Sequence, residues 1–357
     1  MYKKVFTLFL CLLLFWVIAS SVAISAKEKK CGFAYFSPII DGSYDYYSWN
    51  EGFSISFESG KVILLNNRET LFVFIDFILD IGNDSISIKP RCDDFFEFVV
   101  DWDGNKKITP GLDRVYTLCN NGTNRLHYRY FLGKSAFSDV YFSQGIGTSG
   151  FGPTPNHSVP HRIYEYAIPL SEVKKQDLSS IFFGIRLISK TPSLCLESPR
   201  NLFQDLSGAY NVTIHPVDHF VQMTYMIGGR NMSVNDCQYQ MDTEPILVSK
   251  RSFLPIRYVV EPIGGIFQWN PEGKRLVVMI QDLIIELRIN DPYATINGKK
   301  VVIEKLNHSI TPLLIPPGRV FVPLRFIGEK MGCSILWNPQ TQEVIIRYQV
   351  TSNQKNI

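Results

Sequence analysis

Phe321–Pro339 reads FVPLRFIGEKMGCSILWNP, and Phe253–Pro271 reads FLPIRYVVEPIGGIFQWNP. At a constant offset of 68 the two agree at Phe253/Phe321, Pro255/Pro323, Arg257/Arg325, Glu261/Glu329, Gly264/Gly332 and through Trp269-Asn270-Pro271 and Trp337-Asn338-Pro339. Ile256, Val259 and Ile263, like Leu324, Ile327 and Met331, fall at i, i+3, i+7 and so share one face of a short helix. Each matching residue then has a mechanical role. Pro255 and Pro323 are expected at the first helical position, where a missing N–H costs nothing. Gly332, and Gly264 or Gly265, should end the helices in a left-handed conformation. Pro262 should distort the first helix. Asn-Pro after each tryptophan starts a turn, after which RLVVMI and EVIIRY return as strands. Arg257 with Glu261, and Arg325 with Glu329, stand one turn apart in the less favourable order for a helix pair, so the arginines are read as structural.

The preludes repeat more loosely: MIGGRNMSVND and LRINDPYATING each read as strand, turn, strand. The unit predicted is hairpin, helix, hairpin, twice over, across residues 219–350. NGKK (297–300), GRVFVPLRFIGEKMG (318–332) and WNPQTQEVIIRY (337–348) resemble the copper amine oxidase N-terminal-like domain. The resemblance implies a module common in exported bacterial surface proteins. It does not imply oxidase chemistry. SYDY (43–46) and IYEY (163–166) both lack the Asn of the quinone motif, and His308 is the only histidine after residue 219. No His-x-His pair exists to bind copper.

The chain has 357 residues, enough for two domains. Residues 1–26 read as a signal peptide: Lys3 and Lys4, an apolar VFTLFLCLLLFWVIA, then small residues before KEKK. The alternative reading is an uncleaved anchor, and no later run is apolar enough to span a membrane. Basic residues number 36 against 33 acidic, and loss of the leader narrows that gap. Such balance argues against a nucleic-acid or anionic-membrane partner. Aromatics at 13% suit sheets. The remaining six cysteines allow two bridges in the first half and Cys237 with Cys333 in the second, or else free buried thiols. Six Asn-x-Ser/Thr sequons, at Asn83, Asn121, Asn156, Asn211, Asn231 and Asn307, read as polar loop sequence in a bacterial protein.

Between about 33 and 213, ETLFVFIDFILD, DFFEFVVDWDG, RVYTL and SSIFFGIRLIS are strand-like runs between Gly, Asn and Pro signals, the pattern of an antiparallel β-sandwich. IDGSYDYYSWNEG (40–52), LFVFIDF, FEFVVDWDGN, YEYAIPLSEV (164–173) and FFGIRL occur in an order similar to that of family-nine carbohydrate-binding modules and DOMON-like sandwiches. That resemblance implies a sugar, haem or other small ligand at one end of the sandwich, or lost binding.

Trp49 and Trp102, with Tyr44, Tyr46 and Tyr47, are candidate sugar-stacking rings, since C–H groups of a pyranose face meet a π surface; burial in the core is the competing role. Asp101, Asp103 and Asn105 alternate oxygen donors as calcium requires, or form a polar hairpin turn. His215 and His219 lack the intervening Glu of a zincin, and His157 and His161 lie in a proline-rich loop whose alternative reading is a casual metal site. The mixed fold expected is a β-sandwich (27–213), an α+β domain of two hairpin-helix-hairpin repeats (219–350) and a tail (351–357). The function expected is that of an extracellular or cell-surface protein, non-catalytic, whose partner is a glycan or another envelope component. The rivals are a glycan-processing enzyme with paired carboxylates from Asp93, Asp94, Asp101 and Glu165, and a purely structural envelope protein.

Overall fold

A computed structural model describes residues 32–50, 52–57, 59–83, 94–119, 125–190, 193–215, 220–235 and 237–349. The leader (1–26), the tail (351–357), Asp93 and His219 lie outside the described residues. The fold is β-rich throughout, and no helix among the described residues is long and apolar enough to cross a membrane.

The first half contains β1 (Gly32–Phe33), β2 (Phe53–Phe57), β3 (Gly60–Asn66), β4 (Thr70–Phe77), β5 (Phe95–Asp101), β6 (Arg114–Cys119), β7 (Arg125–Gly133), β8 (Ala136–Phe137), β9 (Tyr141–Thr154), β10 (His157–Pro169), β11 (Ser180–Ser189), β12 (Leu194–Ser198) and β13 (Tyr210–Thr213). Two short helices, α1 (Tyr46–Trp49) and α2 (Leu170–Val173), interrupt them. All the strands belong to one sheet, with the path β1-β3-β4-β10-β9-β7-β6-β5-β11-β12. Three strands separate β10 from β5 along that path. Even so, Phe96 stacks on Tyr164 at 5.9 Å, and the Tyr166 hydroxyl donates to the Phe96 carbonyl at 3.0 Å. The sheet therefore curls until its two wings face each other as the layers of a sandwich.

Alternation assigns the faces. Val73, Ile75 and Phe77 of β4 point inward with Phe96, Phe98 and Val100 of β5. Phe72 and Phe74 point outward, where Trp49, Ile63 and Ile163 cover them. LFVFIDF is buried on both faces, which is why it reads as an apolar run interrupted only by Asp76.

The second half contains β14 (Phe220–Met226), β15 (Asn231–Val234), β16 (Cys237–Gln240), β17 (Ile246–Val248), β18 (Arg251–Pro255), α3 (Arg257–Val260), β19 (Ile266–Asn270), β20 (Arg275–Ile280), β21 (Leu283–Arg288), β22 (Tyr293–Ile296), β23 (Lys299–Val302), β24 (Leu313–Ile315), β25 (Arg319–Pro323), α4 (Leu324–Lys330), β26 (Ser334–Asn338) and β27 (Glu343–Gln349). Two five-stranded sheets, β16-β15-β14-β27-β26 and β19-β20-β21-β22-β23, flank a four-stranded one, β17-β18-β25-β24. Their registers correspond. Met223 pairs with Ile346 and Val234, as Ile285 pairs with Val278 and Ile296. Asn235 and Asn297 both adopt positive φ, and their side-chain oxygens accept from the amides of Gln222 and Ile284 respectively.

Both prolines sit earlier than the sequence suggests. Pro255 ends β18, and Pro323 ends β25 as the cap of α4 with φ −61° and ψ 108°. The β18–β25 ladder, in which Phe253 faces Pro323 and Pro255 faces Phe321, holds them extended. At Pro262, α3 gives way to a 3-10 turn, which Gly264 ends at φ 79°. Gly332 follows α4 at φ 81°, and Cys333 N–H closes back onto the Gly328 carbonyl.

The Cys237–Cys333 bridge does not form. Cys237 opens the edge strand β16, whereas Cys333 immediately precedes β26 at the opposite edge of the same sheet. Four strand spacings of about 4.8 Å separate those edges, far beyond the reach of a disulfide. Cys333 is a buried free thiol that burial pushes up to about 12. In the first half Cys119 is disulfide-bonded, while Cys195 is an exposed thiol, so the two bridges expected there do not both form.

The halves also interlock. Tyr35 and Phe36 belong to the core of the second half, and the Arg68 guanidinium donates to the Ile263 carbonyl at 3.3 Å.

Candidate functional site

At one end of the curled sheet, half-buried aromatic residues with polar groups border the inner core. Trp102 lies just past β5, Arg114 opens β6, Tyr128 and Tyr130 lie on β7, and Tyr141 opens β9. Register brings them together: Arg114 faces Tyr130, Tyr116 faces Tyr128, and Tyr128 faces Tyr141. The Arg114 guanidinium lies 5.3 Å from the Tyr128 and Tyr130 ring centres and 5.9 Å from that of Trp102. Tyr128 stacks on Tyr141 at 5.8 Å, and Tyr130 meets Tyr141 edge-on at 5.4 Å. Tyr141 is 46% exposed, so the cluster opens to solvent. Burial and the neighbouring Tyr130 hydroxyl push the Tyr128 phenol up to about 12, which keeps it neutral and able to donate.

α2 closes this end. Arg114 Nη1 donates to the Glu172 carbonyl at 2.8 Å, and the Tyr116 hydroxyl donates there at 3.1 Å. The Glu172 carboxylate accepts from Ser143 Oγ at 2.7 Å and the Gln144 amide at 2.9 Å. Arg114 Nε is buried without an acceptor among the described residues. Beyond Trp102, whose indole N–H donates to the Ser171 carbonyl at 3.1 Å, an open groove of about 1020 Å³ runs past Pro169 and Lys174 to Arg68 and Glu69.

The loop from Asp101 to Asp113 carries Trp102. Its Asp101, Asp103 and Asp113 carboxylates come within 4.8 Å of one another. Asp101 and Asp113 are buried, and Asp101 Oδ1 has no hydrogen-bond partner among the described residues. Burial first, then the backbone and the neighbouring carboxylates, place Asp101 at about 6 and Asp113 at about 7. Three clustered oxygens and a buried orphan suit a hard cation such as calcium. Asn105 is not brought into this set. Its amide donates to Asp103 Oδ2 at 2.8 Å and Thr109 Oγ1 at 2.7 Å, so it braces the loop, and Asp113 takes the third place.

Trp49 is not a ligand contact. It is fully buried against Phe74 on the outer face of the sheet, and its indole donates to Glu165 Oε1 at 3.2 Å. A buried indole needs an acceptor, and Glu165 is that acceptor. Tyr44 packs edge-on against Phe74 at 5.2 Å in the same cluster. The side chains of Tyr46 and Tyr47 lie outside the described residues. Of the carboxylates expected to pair, Glu165 also accepts from the Asp41 and Gly42 amides, and Asp94 accepts from the Lys190 amide. His161 is fully buried; its Nε2 faces Asp76 and its Nδ1 faces the Val159 carbonyl, so it belongs to a core network.

Trp102, Asp101 and Asp103 are candidates that the sequence also singles out; Arg114, Tyr128, Tyr130, Tyr141 and Asp113 join them only in the structure. The available signal was the alternation Tyr128-x-Tyr130 beside RVYTL, two adjacent strands with polar aromatics on one face.

Residues 233–346 match the Copper amine oxidase N-terminal domain. The match to that domain takes in both the 253–271 and 321–339 stretches and none of the aromatic mouth. Similar solved structures include a carbohydrate binding module family 9 from Caldicellulosiruptor kristjanssonii in complex with cellotriose. It is 16% identical, with 52% of this chain and 94% of that chain covered and a TM-score of 0.36. The same module in complex with glucose is 17% identical, with 52% and 96% covered and a TM-score of 0.35. No curated protein matches the chain.

Proposed function

We propose that this is an exported, non-catalytic protein of the cell surface that binds a glycan at the aromatic mouth of residues 27–213, with residues 219–350 as the module that displays it. The supporting observation is the arrangement of Trp102, Tyr128, Tyr130 and Tyr141 around Arg114 at one open end. Aromatic rings receive the C–H face of a pyranose, and the hydroxyls at its rim need donors and acceptors. The Arg114 guanidinium lies among the rings, and the tyrosine hydroxyls can both donate and accept. Calcium at Asp101, Asp103 and Asp113 would offset two of the three negative charges and hold Trp102 at the edge of the mouth. The deciding experiment screens the full chain on a glycan array and on insoluble polysaccharides. Retention on at least one glycan, lost in Arg114→Ala and Tyr141→Ala, is the expected result. No retention on any glycan overturns the proposal.

A further inference from the structure

The second half contains two related clefts, and among the described residues one is filled and the other is open. Arg319 Nε donates to Asp242 at 2.5 Å beside Tyr258; its counterpart Arg251 Nε donates to Glu304 at 2.9 Å beside Phe326. Near the first pair, Phe36 packs edge-on against Tyr239 at 4.9 Å and Tyr258 at 5.7 Å. It arrives there from the other half of the molecule as part of Phe33-Ala34-Tyr35-Phe36, and both Tyr35 and Phe36 are buried.

Among the described residues, nothing takes the place of Phe36 near the second pair. A cleft of about 830 Å³ lies there, lined by Val302, Ile303, Phe326 and Ile335. Its rim exposes apolar surface: Leu306 is 92% exposed and Trp337 is 39% exposed, whereas its counterpart Trp269 packs against the core. Phe326 replaces Tyr258, whose hydroxyl donates to Asp242 Oδ1, so the open cleft also loses a polar tether. The cleft is basic. Arg251 pairs with Glu304 and Arg325 with Glu329, while Lys250, Lys305 and Lys330 have no acidic partner among the described residues.

We propose that this cleft binds an extended segment of a partner polypeptide, one with an aromatic anchor flanked by acidic residues. The filled cleft is the precedent for the anchor, because the aromatic segment that follows β1 already places Phe36 in the corresponding position. The three lysines define the flanks, since a carboxylate beside the anchor meets an unpaired ammonium. The anchor supplies most of the binding and the charges supply selectivity.

The test uses the full chain and a fluorescein-labelled peptide, DDGFAYFSPDD, whose centre copies residues 32–38. Saturable anisotropy is expected, weakened at least tenfold when the second Phe of the peptide becomes Ala, and likewise by Trp337→Ala in the protein. Trp337 is on the rim, so an unchanged melting curve for Trp337→Ala shows that the fold is intact; Leu306→Glu provides a second exposed variant. Replacing the four Asp by Lys should abolish binding. Absence of binding, equal binding of the Ala peptide, or indifference to both protein variants overturns the proposal. So does concentration-dependent self-association that Trp337→Ala removes, which would assign the cleft to a second copy of the chain, or displacement of the peptide by an oligosaccharide.

Discussion

Leu254 lies directly opposite Val322, the residue 68 positions later, in the antiparallel β18–β25 pair. Phe253 faces Pro323, the counterpart of Pro255, and Pro255 faces Phe321, the counterpart of Phe253. A tandem repetition in sequence has thus become a local two-fold axis through Leu254 and Val322. Both residues are fully buried where the two copies meet.

That axis predicts coupled stability. Leu254→Ala should cost about 2–5 kcal/mol, the usual range for a buried leucine truncation. Since Val322 is in direct contact, Leu254→Ala with Val322→Ala should depart from additivity by about 0.5–3 kcal/mol. Urea denaturation of the two singles and the double measures both numbers. Strict additivity would mean that the two copies do not share a core at this point.

For the mouth, Tyr141→Ala and Trp102→Ala should each weaken glycan binding by about 1–2 kcal/mol, roughly five- to thirty-fold, the scale of a lost aromatic contact. Trp49→Phe should leave affinity unchanged while lowering stability, because it leaves Glu165 without its indole donor. Titration calorimetry and thermal melts separate the two effects.

The carboxylate loop predicts a calcium response. Addition of calcium should raise the melting temperature of the wild-type chain with one-to-one stoichiometry. Asp101→Asn or Asp113→Asn should remove most of that rise by taking away a negative ligand. A melting temperature indifferent to calcium in all three proteins would exclude the site.

Glu165 predicts a pH dependence. Burial holds it at about 7, above its ordinary 4.5, although the Gly42 and Asp41 amides and the Trp49 indole favour its charged form. The folded chain therefore binds this proton more tightly than the unfolded chain does. Its contribution is full below about pH 4.5 and is lost as pH rises through 7. Glu165→Gln should flatten stability across that window. A wild-type stability profile that rises between pH 5 and 7, and is unaltered by Glu165→Gln, would contradict the assignment.

The repeated stretch was readable because each of its letters acts locally: Gly332 and Gly264 stop helical turns, and Asn270 and Asn338 bend the chain through their own side-chain oxygens. The aromatic mouth was not readable. Arg114, Tyr130 and Tyr141 lie on three separate strands, and only the register of the curled sheet gives them one face. Trp49 misled for the opposite reason: a tryptophan beside tyrosines looks like a binding surface until Glu165, 116 residues away, is seen to accept its N–H. The insertion of Tyr35 and Phe36 into the second half likewise depends on contacts with Asn235, Tyr239 and Tyr258 far along the chain.

β14 and β27 are neighbours in one sheet, although nearly all of the second half lies between them in sequence. The other five-stranded sheet is assembled from one continuous stretch, Ile266 to Val302. During synthesis that stretch can pair as soon as it emerges, but Phe220–Met226 must wait with an open flank until Gln349 has been made. The last strand is thus the clasp of this half, and an arrested or clipped chain would leave a hydrogen-bonding edge bare.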